Sequence, residues 1–316
     1  MGYTEADVPD LTGRTALVTG ATSGVGLQVA TVLAGRGARV FVAYRDAERG
    51  DRALRTIREA APAADVRLVE LDLARLGSVR RGAAEVAAQA PQLDLLFANA
   101  GIMATPYAVT ADGFEAQFGT NHLGHFALTG LVLPALLAAP AARVVVTSSV
   151  AHHPGRVGFD DLMFQRRPYE RWPAYSQSKL ANLLFAFELQ RRLAAAGSPA
   201  QALGAHPGYV ATNLQLGPFR GRLPALEPLV QPLYQFVNRT LGEKPQAGAR
   251  PLLMAAFGPG SRGGDHFGPS GPNESRGAPG PARVAPAARD EDVARRLWTV
   301  SEELTGVHYT ALAPAV

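Results

Sequence analysis

The sequence predicts an α/β protein in which a doubly wound, mostly parallel sheet is covered by helices on both faces. Over the first two hundred residues, short apolar runs rich in β-branched residues alternate with longer helical segments, as in successive βαβ units. A glycine-rich turn follows the first run, and no second periodic block appears, which indicates a single domain. The predicted strands are 14–20, 38–44, 66–72, 93–100 and 142–149, with a weaker sixth at 200–208.

Composition and terminal sequence limit the function classes. The 316 residues include no cysteine, which excludes disulfides, thiolate catalysis and cysteine-based zinc sites. The net charge of +4 comes without a run of five basic residues, so we expect no nucleic-acid partner. The N-terminus carries acids where a signal peptide needs basic residues, and two prolines interrupt the apolar stretch 126–142. We therefore expect a cytoplasmic protein without a membrane anchor.

The pattern changes after the sixth strand. Residues 213–244 are irregular and rich in Pro and Leu, and they predict a substrate lid. The segments 244–257 and 290–304 predict helices, the second with an acidic first turn that suits the helix dipole. Between them, 14 of the 29 residues in 258–286 are Gly or Pro, which argues against regular elements apart from a short edge strand at GDHFGP.

The turn after the first strand reads TGATSGVG, from Thr19 to Gly26, and leads into a helix that begins near Val25. Glycines let a pyrophosphate approach the backbone, and a helix N-terminus offers free N–H groups and a positive dipole end. The turn therefore predicts a Rossmann fold that binds a dinucleotide, although glycines also permit tight packing. The expected contacts are Gly20, Thr22, Ser23, Gly24, Val25 and Gly26.

An ordered set of motifs resembles the short-chain dehydrogenase/reductase family. The set comprises TGATSGVG, Asp72, ANAG at 98–101, Asn121, the serine pair 148–149, Tyr175-x-x-x-Lys179 and Pro207-Gly208. Longer stretches such as NHLGHFALT (121–129) and YSQSKLANLLFAFEL (175–189) look like the retinol-dehydrogenase-like branch, in particular its soluble bacterial oxidoreductases. The resemblance implies one Rossmann-type domain over 1–316, with a cofactor part at about 10–150 and a catalytic and substrate part at about 150–316.

The resemblance implies four catalytic residues. Ser149 would hydrogen-bond the substrate oxygen, and Tyr175 would act as general acid or base. Lys179 would lower the pKa of Tyr175 by its charge and would also bind the nicotinamide ribose. Asn121, which is unusual within an apolar helix, would hold a water that links the lysine to solvent. Tyr175 lies 26 residues after Ser149, as in longer-looped relatives, and sequence alone leaves open whether the two meet.

The end of the second strand predicts NADP(H) rather than NAD(H). Tyr44 stands where NAD enzymes place an acid for the ribose hydroxyls, and Arg45 follows it. A guanidinium at this point suits a 2′-phosphate through charge-assisted hydrogen bonds. Alternatively, Arg45 lies in solvent and pairs with Glu48. One departure from the family is Ser23, which occupies a position where many NADP-preferring relatives carry a second basic residue.

Further cofactor contacts follow from the resemblance, and each has a structural alternative. Asp72, whose side chain is expected at the adenine, could instead be a helix N-cap. The turn after the fourth strand could only support the sheet, and the Pro-Gly segment could be a simple turn. The expected contacts are Asp72 and Leu73 at the adenine, Asn99, Ala100 and Gly101 beside the adenine ribose, and Pro207, Gly208, Val210 and Thr212 at the nicotinamide.

The predicted function is an NADP(H)-dependent carbonyl reductase or alcohol dehydrogenase acting on a lipophilic ketone, aldehyde or secondary alcohol. The alternatives are an NADP-binding regulator or scaffold without turnover, and an epimerase or dehydratase with the same fold. Apolar residues of segment 213–244 would line the substrate pocket. Alternatively, they pack the lid against the rest of the protein or form a subunit interface. These residues are Phe219, Leu223, Leu226, Leu229, Leu233, Tyr234 and Phe236.

Three smaller expectations concern partners and polar pairs. Apolar helices at 112–139 and 173–196 permit a homodimer or homotetramer without requiring one. His122 and His125 have i, i+3 spacing but no third ligand follows, so we expect packing and no metal site. The neighbours Asp160 and Asp161 do not share a face of a helix or strand, so we expect loop or cap roles rather than an acid/base pair.

Overall fold

The computed structural model describes residues 2–210 and 243–312. Thr212 and nearly all of the expected lid, including its seven apolar residues, lie outside the described residues. Everything below concerns the described ranges.

The described residues form one sheet of eight strands in the order β3-β2-β1-β4-β5-β6-β7-β8. The first seven strands are parallel, and β8 runs antiparallel to β7. The order reverses between β1 and β4, which is the mark of a doubly wound sheet and confirms the predicted fold class. The strands are β1 Thr15–Val18, β2 Arg39–Tyr44, β3 Val66–Glu70, β4 Leu95–Ala98, β5 Arg143–Thr147, β6 Gln201–Ala205, β7 His266–Pro269 and β8 Pro279–Pro281.

Helices cover both faces of this sheet. Helices α1, α2 and α6 bury their apolar residues in a core on one face, and α3, α4, α5 and α7 do so on the other. Both cores consist of buried aliphatic and aromatic side chains, as expected for a parallel sheet. The helices are α1 Gly24–Gly35, α2 Ala47–Ala60, α3 Leu76–Gln89, α4 Ala116–Ala138, α5 Arg171–Ala195, α6 Pro245–Phe257 and α7 Glu291–Thr305.

The glycine- and proline-rich segment 258–286 is more regular than the sequence predicts. The expected edge strand forms as β7, but it lies inside the sheet because β8 pairs with its free side. The edge is β8, with the sequence Pro-Gly-Pro. Proline lacks an N–H donor and is tolerated on an edge strand, where it also blocks pairing with another chain.

The predicted C-terminal helices are confirmed as α6 and α7. Asp290 caps α7 by accepting a hydrogen bond from the amide of Val293 at 3.0 Å, and Gly306 ends it with a φ of 60°. A left-handed residue after the last turn favours glycine, which explains why the helix stops there.

Helix α7 covers the apolar faces of α4 and α5. Trp298 of α7 packs against Phe126 of α4 and Phe185 of α5, with ring centroids 5.1 and 5.8 Å apart. Tyr309, beyond α7, joins the same cluster and donates a hydrogen bond to the carbonyl of Phe126 at 2.7 Å. The apolar faces of α4 and α5, which suggested an oligomer, are therefore buried within one chain. The oligomeric state stays a prediction.

Helix α4 is the one described helix long and apolar enough to cross a membrane by length and composition. Of its most apolar window, 72% is buried inside the fold. Burial against the sheet and α7 accounts for its apolar composition.

Candidate active site

The turns after β1 and β4 are tied together by Thr19. Its hydroxyl accepts hydrogen bonds from the amides of Asn99 and Ala100 at 2.9 and 3.0 Å, and the Asn99 side-chain amide donates to the Thr19 carbonyl at 3.0 Å. A Cβ added at Gly26 would lie 2.4 Å from the carbonyl oxygen of Gly20 and 2.5 Å from Nδ2 of Asn99. The Asn99 side chain therefore supports the packing of the two turns, and its contact with the cofactor stays a prediction.

The glycine turn presents the start of α1 to solvent. Gly20 and Gly24 have φ values of 66° and 57°, which only glycine adopts without strain. Ser23 is the N-cap of α1, yet its side chain makes no capping hydrogen bond. The first amides of α1 and the nearby backbone thus form a surface that fits a pyrophosphate.

Two arginines lie near the end of β2. Arg45 is exposed and makes no hydrogen bond or ion pair within the described ranges. Glu48 pairs instead with Arg52 at 3.6 Å, so the alternative pairing of Arg45 with Glu48 is wrong. Arg49, in the first turn of α2, donates a hydrogen bond from Nη2 to the Ser23 hydroxyl at 3.2 Å. Sequence analysis did not identify Arg49, because its contact joins residues from two different βα units.

Asp72 does not cap α3. Its carboxylate accepts a hydrogen bond from the amide of Ala74 at 3.0 Å and pairs with Arg75 at 3.5 Å, so it caps the short turn before the helix. Arg75 occupies the N-cap position of α3, without a side-chain capping bond. The neighbouring Leu73 is buried, and its carbonyl would lie 2.5 Å from a Cβ added at Gly124.

Asn121 lies in a π-helical turn, Gly119–Leu123, within α4. Its Oδ1 accepts from the amide of Ile102 at 2.8 Å, and its Nδ2 donates to the Ile102 carbonyl and to the Ser178 hydroxyl, both at 2.9 Å. These bonds fasten the loop after β4 to α5, so the side chain positions both. Single π turns are frequent at functional sites. That Asn121 holds a water stays a prediction.

His125 connects this asparagine to the turn after β1. Its Nδ1 lies 2.9 Å from the Asn121 carbonyl, which can only accept, so Nδ1 carries the proton and Nε2 accepts from the Thr19 hydroxyl at 2.8 Å. Burial lowers the pKa of His125 to about 4, so the ring is neutral. His122 instead contacts Ser301 of α7 at 2.9 Å. His125 therefore links the turn after β1 to Asn121 by hydrogen bonds, in addition to packing in the core.

Ser149, Tyr175 and Lys179 meet at the carboxyl end of β5, although 26 residues separate the first two. Ser149 caps the short turn that follows β5, and its side chain forms a hydrogen bond with the Tyr175 phenol that acts to lower the phenol pKa. Nζ of Lys179 donates to the Thr147 carbonyl at 3.2 Å and lies 5.7 Å from the centre of the Tyr175 ring. Gly101 faces the same group, since an added Cβ there would lie 3.4 Å from that Nζ.

Burial governs the acid–base properties of this group. It raises the pKa of Tyr175 to about 12, against the hydrogen bond from Ser149, and it lowers the pKa of Lys179 to about 8. In the protein alone, removal of the phenol from water dominates its pKa. That Lys179 lowers the pKa of Tyr175 when the cofactor is bound stays a prediction.

The Pro207-Gly208 turn is held by a second turn beyond β7. Gly208 has a φ of 73°, and a Cβ there would lie 2.6 Å from the Ser275 carbonyl. The amide of Tyr209 donates to the same carbonyl at 2.7 Å, and Nε2 of His206 lies 3.2 Å from the Glu274 carboxylate. The segment expected at the nicotinamide is thus fixed by contacts that were not predicted from the sequence.

Tyr169 lies at the end of the long loop between β5 and α5, and Trp172 lies in the first turn of α5. The Trp172 side chain is 52% exposed, and its ring lies 6.0 Å from that of Tyr175 in an edge-to-face arrangement. Tyr169 donates to the buried carboxylate of Glu115 at 3.0 Å and accepts from Gln117 at 2.8 Å, which joins the loop to the start of α4. Neither residue is distinctive in sequence.

The acidic pair in this loop has a capping role. The Asp161 carboxylate accepts hydrogen bonds from the amides of residues 165–167, between 2.7 and 3.0 Å. These bonds hold its pKa below the usual range. The predicted cap role is confirmed for Asp161. No group of three or more His, Asp or Glu side chains within the described ranges could hold a metal ion.

Together, the doubly wound sheet, the glycine turn and the serine–tyrosine–lysine group at the carboxyl end of β5 define a Rossmann protein of the dinucleotide-binding kind. Residues 14–218 match the family model described as short chain dehydrogenase. The chain belongs to the short-chain dehydrogenase/reductase family, as the motifs predict. It is a retinol-dehydrogenase-like oxidoreductase that acts on alcohol or carbonyl groups.

Individual proteins similar to this chain agree with that assignment. Human retinol dehydrogenase 14 is 41% identical over 310 residues, which cover 93% of this chain and 87% of that protein. The crystal structure of an uncharacterized protein from Mycobacterium paratuberculosis is 45% identical, has a TM-score of 0.80, and covers 98% of this chain and 99% of its own. A short chain dehydrogenase from Shigella flexneri, complexed with NADP, has a TM-score of 0.62 at 22% identity over 82% of this chain and 98% of its own, which shows the fold alone.

The lowered pKa of Lys179 predicts how carbonyl reduction depends on pH. As the pH rises through about 8, the ammonium loses its proton and the cation beside Tyr175 disappears. We expect kcat/KM for reduction to fall above that pH, because this ratio reports ionisation in the free enzyme. Lys179→Arg keeps the charge and should move the fall upward by about one unit or more.

The chain offers a matched control, since Lys244 is its one other lysine and is exposed. Lys244→Arg should leave the profile unchanged. With two lysines, NMR of 13C-labelled lysine can also follow the titration of Lys179 directly, even if the arginine variant has little activity. A Lys179 midpoint near 10 in the free protein would contradict the prediction.

Proposed function

We propose that the protein is an NADP(H)-dependent carbonyl reductase or alcohol dehydrogenase with Tyr175 as general acid or base. The observation that carries the proposal is the meeting of Ser149, Tyr175 and Lys179 at the carboxyl end of β5. Open α/β sheets bind ligands at this end of their strands. The glycine turn after β1 opens on the same edge and fits the dinucleotide.

In the reductive direction, Ser149 donates a hydrogen bond to the carbonyl oxygen and holds it against the Tyr175 hydroxyl. NADPH, when bound at the glycine turn, would supply the hydride to the carbonyl carbon. Tyr175 gives its proton to the oxygen, and the Lys179 ammonium stabilises the phenolate that remains. Because burial raises the Tyr175 pKa to about 12, the phenol holds its proton at neutral pH and is ready to donate it.

The region after β2 supports NADP(H) as the cofactor. It presents the exposed Arg45 and offers Tyr44 where an acid would repel a phosphate. Within the described ranges, the Arg45 guanidinium has no partner to compete with a ligand.

Exposed apolar side chains support a lipophilic substrate. Val150 follows Ser149 and is 38% exposed, and Trp172 lies beside Tyr175. Large apolar side chains kept in contact with water beside a reactive group suit an apolar ligand. Relatives such as human retinol dehydrogenase 14 are named for retinol, a lipophilic alcohol. We also propose a cytoplasmic location, since α4 is mostly buried within the fold.

The reaction is tested with a panel of ketones, aldehydes and alcohols and with both NADPH and NADH. We expect NADPH oxidation with lipophilic ketones, and Tyr175→Phe should lower kcat by about 100- to 10,000-fold through loss of the proton donor. Tyr107→Phe, at an exposed tyrosine, is the control. Tight NADPH binding without turnover would favour a regulator or scaffold, and turnover without net cofactor change an epimerase or dehydratase.

The cofactor preference is tested separately with Arg45→Ala. Loss of a charge-assisted hydrogen bond to the 2′-phosphate should raise KM for NADPH by about 10- to 100-fold and leave KM for NADH nearly unchanged. The control is Arg52→Ala, which removes a guanidinium already paired with Glu48. An unchanged ratio of the two KM values would refute the role of Arg45.

Trp172 can be tested by fluorescence, because the chain has two tryptophans and the other, Trp298, is buried. We expect a bulky ketone to change the emission of the NADP-bound wild type and of Trp298→Phe. The change should be absent in Trp172→Phe. Persistence of the change in Trp172→Phe would show that the substrate binds away from this residue.

A further inference from the structure

We propose that Arg49 is a second ligand of the cofactor 2′-phosphate, supplied by α2 in place of the basic residue that the glycine turn lacks at Ser23. The inference rests on the proposed use of NADP(H) and adds a residue that determines it. The motifs found in the sequence do not include this arginine.

The contact between Arg49 and Ser23 places the guanidinium over the cofactor turn. Nη2 of Arg49 donates to the Ser23 hydroxyl at 3.2 Å, across 26 residues of sequence. Because Ser23 is the N-cap of α1, the arginine lies where the first amides of that helix are free. A guanidinium brought in from α2 thus stands beside the position at which a basic residue is missing.

Arg49 is placed against the usual electrostatics of a helix. It lies in the first turn of α2, where the dipole favours anions, and its own amide donates to the N-cap Asp46 at 2.9 Å. Within the described ranges it has no carboxylate partner, whereas Arg52, one turn further on, pairs with Glu48. A guanidinium without a carboxylate partner at a helix start gains nothing from the dipole, which leaves its charge available to a ligand.

Arg45 and Arg49 both belong to the segment that follows β2. Arg45 follows β2 directly and is exposed, and Arg49 is partly buried against the glycine turn. A phosphate monoester carries nearly two negative charges and three acceptor oxygens, enough for two guanidinium groups and the Ser23 hydroxyl. A ribose hydroxyl offers no charge to either arginine. Arg49 should therefore act on NADPH and leave NADH binding almost unchanged.

The test compares two probes that differ only in the 2′-phosphate, adenosine 2′,5′-bisphosphate and adenosine 5′-monophosphate, by calorimetry. Arg49→Ala should weaken binding of the bisphosphate by about 10- to 100-fold and of the monophosphate by less than about twofold. Arg52→Ala, on the same helix, should change neither. Ser23→Ala removes the hydroxyl that holds Arg49 and should weaken only the bisphosphate, by a smaller factor.

The outcomes separate this inference from the proposed function. If the wild type binds both probes equally, the NADP(H) assignment fails, and the role of Arg49 fails with it. If the wild type prefers the bisphosphate and Arg49→Ala keeps that preference, only the role of Arg49 fails. An equal loss for both probes would assign Arg49 to the shape of the glycine turn. Thermal unfolding of each variant verifies that it is folded.

Discussion

The close approach of the β1 and β4 turns is the constraint on which the rest of the site depends. Gly26 has no room for a Cβ between the Gly20 carbonyl and the Asn99 amide, and the Thr19 hydroxyl joins both turns. His125 of α4 is hydrogen-bonded both to Thr19 and to the Asn121 carbonyl. The Asn121 side chain in turn holds the loop after β4 against α5. The cofactor surface and the catalytic helix are thus parts of one hydrogen-bonded unit.

That unit has an electrostatic consequence at Tyr175 and Lys179. The same packing that fixes the two side chains removes both from water, and this shifts their pKa values toward the neutral forms. In the protein alone, the Tyr175 phenol therefore keeps its proton at neutral pH. Lys179 is the cation available to stabilise a phenolate, because its pKa of about 8 leaves it mostly protonated at neutral pH.

Sequence predicted those features that depend on local pattern. The strands, the glycine turn and the order of motifs identified the fold and the family, and the structure brings Ser149 to Tyr175 across the long loop. The contact of Arg49 with Ser23 was not predictable, because it joins two helices whose relative placement is set by the sheet. The pKa of Tyr175 depends on desolvation, which local sequence does not record. β8 was not predicted because the sequence Pro-Gly-Pro is typical of a loop, and it becomes a strand only by pairing with β7.

The covering of α4 and α5 by α7 also affects the order of folding during synthesis. Phe126 and Phe185 are made well before Trp298 and Tyr309, which bury them. A chain growing on the ribosome therefore exposes these aromatic residues of α4 and α5 until α7 emerges. Uncovered apolar surface of this kind promotes aggregation and chaperone binding. Helix α7 thus completes this aromatic core and removes that surface from solvent.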